Sequence, residues 1–112
     1  MSITGAPTRK GDDDEVKSSN VDANTAATTD SISVSSHGIV GLYVAAVSGT
    51  HATHITTLQA SPDDGVTWFD TSHTITGVGA VFNIICSATD VRAKITTLEG
   101  SASVVDVHIV TK

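Results

Sequence analysis

The stretch Ser61-Pro62-Asp63-Asp64-Gly65-Val66-Thr67-Trp68 constrains this chain more than any other, because its residue order turns the backbone on itself. Pro62 fixes φ on the way in, Asp63 or Asp64 can accept backbone N–H groups inside the turn, and Gly65 supplies a position with φ > 0. Thr67-Trp68-Phe69 then has the β-branched and aromatic bias of a returning strand. The expectation is a β-hairpin with a large aromatic anchor, Trp68, just past its tip.

The rest of the chain from Ser31 onward has the same texture of short β-type runs between turn signals. Ser31–Ser35 alternates polar and apolar residues, and Ile39–Val47 is apolar on both faces, which predicts a central strand. Thr53–Ala60 leads into the hairpin. Trp68–Asp70 and Thr74–Thr76 predict two short return strands, and Ala80–Cys86 the next. In Val91–Leu98 the residues Val91, Ala93 and Ile95 should face inward and Arg92 and Lys94 outward. In Ala102–Val110 the inward set is Val105, Val107 and Ile109. About eight short strands with no helical period predict an all-β fold, an antiparallel sandwich of jelly-roll-like character over residues 31–112. Tyr43, Phe69 and Phe82 fall in strands expected to build its core.

Residues 1–30 have a different composition, rich in Ser, Thr, Asp, Ala and Asn with almost no large apolar side chains. Such a segment buries too little surface to offset its ordering entropy of roughly 1–2 kcal/mol per residue. It is expected to be an extended arm that orders on a partner. Arg9 and Lys10, with the run Asp12, Asp13, Asp14 and Glu15, are the arm residues expected to make that contact.

A formal charge of −6 with no Lys/Arg cluster argues against nucleic acid as a partner. The longest apolar run is too short to span a bilayer, and the first residues lack a basic segment followed by an apolar one, so neither membrane insertion nor a secretory signal is expected. Cys86 is the single cysteine, which removes an intrachain disulfide and a Cys-based zinc site. A domain of roughly 80 residues with neither staple is short of core, so self-association is expected.

No constellation predicts catalysis. His51 and His54 stand three apart, which in an extended chain points them to opposite faces, and only a bend at Gly49–Ala52 would bring the imidazoles together. The Asp12–Glu15 run lacks the alternating spacing that wraps calcium. No nucleophile elbow accompanies the plentiful Ser, His and Asp residues. No catalytic residue, metal or cofactor is therefore expected.

Ser61, Asp63, Gly65, Thr67 and Trp68 match the Asp-box pattern S-x-D-x-G-x-T-W and so resemble a hairpin repeated in sialidases and other β-propellers, where it is structural. It occurs once here, and the arginine cluster of a sialidase is missing. Leu58–Asp70, the closing Lys94–Ser103, and the polar acidic arm joined to a Thr/Val-rich sandwich resemble small virion proteins of tailed bacteriophages, above all the capsid decoration or cement class. That resemblance implies a non-enzymatic protein made in the host cytoplasm and carried on the capsid surface. It would bridge major capsid protein or other virion subunits, commonly as a homotrimer. Tail-associated or glycan-binding adhesin modules share the hairpin and form the alternative, which an exposed aromatic platform would mark.

Overall fold

The computed structural model describes residues 2–3, 8–10, 13–34 and 38–111. Among these residues there is no helix, and the strands run in the order β1 (Ser2–Ile3), β2 (Thr8–Lys10), β3 (Asp13–Asp22), β4 (Thr28–Thr29), β5 (Ile32–Ser33), β6 (Ile39–Gly49), β7 (Ile55–Ser61), β8 (Phe69–Thr76), β9 (Gly79–Ile85), β10 (Asp90–Thr97) and β11 (Ser103–Thr111). One sheet has the order β1-β4-β10-β7-β8, with β5 also paired to β10, and the other has the order β2-β3-β11-β6-β9. Every pairing is antiparallel apart from β1 with β4. The two sheets enclose one apolar cluster, so the fold is an all-β sandwich.

The period-2 patterns of β10 and β11 place their side chains as the sequence predicts. Val91, Ala93 and Ile95 are buried from one sheet and Val105, Val107 and Ile109 from the other, while Arg92, Lys94, Asp106 and His108 turn away. Leu42 of β6 and Leu58 of β7 are fully buried with them. Cys86 is half-buried against this cluster, and burial pushes its thiol up.

Three expectations need correction. First, residues 13–22 of the expected arm are a strand of the sandwich: β3 lies between β2 and β11, with Glu15 opposite Val110 and Val16 opposite Ile109. Val16, Val21 and Ser18 are buried. Pairing with β11 satisfies the backbone, and two valines suffice for a strand whose partner supplies the rest of the apolar surface. Second, Phe69–Asp70 and Thr74–Thr76 belong to a single strand, β8, paired along β7, and Trp68 lies just before it. Third, β6 is not covered on both faces. Val40, Leu42 and Val44 face the core, whereas Tyr43, Ala45 and Val47 are exposed, because none of the described residues lies over the outside of that sheet.

The chain passes between the sheets through tight corners. At Gly49 φ is +84, and a Cβ there would stand 2.1 Å from the Ala102 carbonyl oxygen, so only glycine lets β6 leave its sheet alongside β11. Thr50 N–H donates to the same carbonyl at 2.9 Å. At the other flank the chain runs from β8 to β9, the last strands of their respective sheets, so both edges lie on the same side of the sandwich.

Candidate functional site

The hairpin between β7 and β8 is held by its own side chains. The buried Ser61 hydroxyl accepts the Gly65 N–H at 2.8 Å and donates to the Asp63 carboxylate at 2.8 Å. That carboxylate also accepts the Thr67 N–H at 2.8 Å, which, with the Thr67 and Ser61 hydroxyls, holds its pKa below the usual range. Asp64 and Gly65 both adopt positive φ. Thr89, from the loop before β10, donates its N–H to the Ser61 carbonyl at 2.8 Å and accepts the Asp64 N–H on its hydroxyl at 2.8 Å. The Trp68 ring lies under the Arg92 guanidinium, 4.3 Å from the ring centroid, and Arg92 Nε donates to Gln59, which in turn donates to Asp70 at 2.7 Å. Ser61, Asp63, Gly65, Thr67 and Trp68 thus come together as a self-tied turn whose polar groups face one another.

The proposed partner contacts of the N-terminal segment sit differently. Arg9 stands opposite Asp14 and Lys10 opposite Asp13 in the β2–β3 register. Asp12 lies outside the described residues. Glu15 is half-buried, and its carboxylate meets His108 Nδ1 at 3.1 Å across β3 and β11.

Two further groups of residues are brought together, the first of which the sequence did not single out and the second of which it named only in part, as His51 and His54. The first is on the outer face of the β2-β3-β11-β6-β9 sheet. Tyr43 and Phe82 are stacked with ring centroids 6.4 Å apart and planes within 8°. A Cβ on Gly41 would lie 3.1 Å from the Tyr43 ring, so the missing side chain lets the tyrosine lie close over the strand. Opposite Gly41 the β9 strand bulges at Phe82 and Asn83, with Asn83 at φ 59, and the bulge sends the Phe82 ring outward. Ile39, Ala45 and Val110 extend this apolar surface, and the Glu15–His108 pair borders it. Phe82 is 60% exposed and Ile85, at the end of the same edge strand, 87%. The aromatic residues expected in the core are therefore largely on the surface, Phe69 included.

The second group lies at the β6–β7 corner. A bend at Ala52 and Thr53 does bring the imidazoles together: His51 Nδ1 is 3.2 Å from His54 Nε2 and 2.9 Å from the Ser103 hydroxyl. The buried Glu99 carboxylate accepts the N–H groups of Ala52, Thr53 and His54 at 3.0, 2.9 and 3.1 Å, and the Thr53 hydroxyl at 2.9 Å. These bonds, that from the Thr53 N–H foremost, bring the Glu99 carboxyl down to about 2. Ser103 and His54 both contact His51 at the same nitrogen, so no nucleophile-to-base-to-orienter relay exists there. Among the described residues no group of three or more His, Cys, Asp or Glu side chains is placed to hold a metal ion.

No family model, no curated protein and no solved structure matches this chain. Among the described residues no helix is long and apolar enough to cross a membrane. The fold class therefore rests on the sandwich itself, and the chemistry on two surfaces: a self-satisfied hairpin and an uncovered apolar sheet face.

Proposed function

We propose that this chain is a non-enzymatic assembly protein, one that decorates and stabilises a bacteriophage capsid by bridging its subunits and that self-associates, as a trimer, to do so. The observation that carries the reading is the uncovered sheet face of Tyr43, Phe82, Ile39 and Val110, continuous with the open β9 edge at Ile85. Contiguous exposed apolar surface on a small soluble chain marks a contact with another protein. The resemblance of the hairpin run and the Lys94–Ser103 segment to small virion proteins supplies the capsid as the setting. In that setting the protein stabilises the shell by mass action, because it binds the assembled lattice and not the free subunits, and repetition over many sites multiplies the effect.

The test is light scattering on the purified chain at micromolar concentration, followed by co-sedimentation with undecorated capsids of tailed phages. A trimer that pellets with capsids and raises their resistance to heat is expected, and the doubly substituted Tyr43→Ser/Phe82→Ser chain should remain folded but lose both properties. A monomer that stays in the supernatant would overturn the proposal. One observation favours a second reading, glycan binding by an adhesin module. The near-parallel Tyr43–Phe82 pair beside a carboxylate and an imidazole has the makings of a sugar-stacking platform. Sugar-array binding that Tyr43→Ser abolishes, without capsid binding, would select it.

A further inference from the structure

The β6–β7 corner holds two imidazoles in an arrangement that depends on how many protons they share. His54 is fully buried, and the outer nitrogens, His51 Nε2 and His54 Nδ1, are buried without a hydrogen-bond partner among the described residues. The ring centroids are 5.5 Å apart and the facing nitrogens 3.2 Å. The difference is close to the sum of the two ring radii, so the nitrogens point head-on. That is the geometry of an N–H···N hydrogen bond and not of two lone pairs converging on an ion.

We infer that the turn between β6 and β7 is an acid-opened latch: His51 and His54 hold it shut by sharing one proton between their facing nitrogens, and further protonation of the pair swings the turn away from Glu99 and Ser103. With one shared proton and one outer N–H the pair is neutral, and the facing contact is satisfied. One added proton makes both outer nitrogens N–H donors in a place where neither has an acceptor among the described residues. Another sets two N–H groups head to head. Swinging the turn into water relieves each in turn.

The neighbours set the direction of the effect. The β10–β11 connection contributes the Glu99 carboxylate, whose charge favours a protonated His54. The end of β3 contributes Asp22, whose carboxylate is taken by the Asn24 N–H at 2.8 Å. The β8–β9 turn contributes Gly77, an uncharged residue whose N–H donates to the His54 carbonyl at 2.8 Å. Burial, the largest influence, pulls His54 below its ordinary 6.5 and outweighs Glu99, and His51 adds to the lowering. The closed turn thus binds fewer protons than the open one. Its advantage is complete above 6.5 and is lost as pH falls from there towards the depressed value. Opening would release three N–H groups from Glu99 and the Gly77 N–H from His54, uncoupling the two sheets at this end.

The test is amide hydrogen exchange on the whole chain, with histidine ring signals followed by NMR. Corrected for intrinsic chemistry, the amides of Ala52, Thr53, His54 and Gly77 should lose protection severalfold, with a ceiling of about tenfold, between about pH 7.5 and pH 5.5, while those of β11 hold theirs. His51→Gln should diminish that pH dependence without abolishing it, because the burial of His54 remains. In the unsubstituted chain the His54 ring should take up its proton below the value of the exposed reference imidazole. Unchanged protection at the lower pH, an undiminished loss in His51→Gln, or ordinary titration of His54 would each overturn the latch.

Discussion

Replacing Ser61 by Ala tests whether the Asp-box hairpin is a structural device. The substitution keeps the strand backbone and removes one oxygen that is fully buried and makes three contacts: it accepts the Gly65 N–H at 2.8 Å, donates to Asp63 at 2.8 Å, and accepts the Asp63 N–H at a weaker 3.3 Å. A typical intramolecular hydrogen bond contributes about 1 kcal/mol net, so two good bonds and one weak one amount to about 2 kcal/mol. For a domain of this size that is a fall in melting temperature of roughly 10 °C. Trp68 is the only tryptophan and sits at the hairpin under Arg92, so its emission reports the transition in urea. The midpoint should fall with an unchanged slope, because the surface exposed on unfolding is the same. Val66→Ala, at a side chain 82% exposed in the same turn, serves as the control and should stay within about 0.5 kcal/mol. A Ser61→Ala chain as stable as that control would refute the reasoning and return the motif to the status of a ligand contact.

Three further outcomes follow from the same contacts. Gly49→Ala forces a side chain into a left-handed position with its Cβ against the Ala102 carbonyl, and should cost about 2–3 kcal/mol in urea unfolding or prevent folding outright. Leu58→Ala empties a fully buried site between the sheets and should cost about 2–5 kcal/mol, measured the same way. Glu99 is held at about 2 against an ordinary 4.5, so its contribution is full above about 4.5 and fades as pH falls towards 2. Glu99→Gln should therefore weaken the fold at neutral pH and flatten this acid limb of the stability–pH curve.

What could be read from the sequence depended on parity. β10 and β11 keep an unbroken two-residue alternation where their inward residues are apolar, so their faces follow directly from the residues. β3 does not keep it. Val16 and Ser18 face inward, then Ser19 and Asn20 together oppose Asp106, with Asn20 at φ 55 and its N–H on the Asp106 carboxylate. That bulge shifts the parity so that Val21 returns to the core. A polar run with two valines five apart gives no periodic signal. The Phe82–Asn83 bulge hides the exposed ring in the same way. For β6 the alternation is legible, but a sequence does not say whether a second layer covers its outer face, and here none of the described residues does. Glu99 was invisible for another reason. Its partners, Ala52, Thr53 and His54, are more than forty residues earlier, and only the closed sandwich brings them to it.

The position of β11 has a consequence for how this molecule is made. It lies between β3 and β6 and is the last strand of the described chain, so two strands with exposed backbone edges must wait for it. The registers that join residue 15 to 110 and 40 to 111 span most of the sequence, and such long loops close late and slowly. During that interval Val16, Val40 and Leu42 have no cover. The nascent chain should therefore fold slowly after its β11 residues leave the ribosome, and its yield in a cell should depend on holding those waiting edges apart from one another.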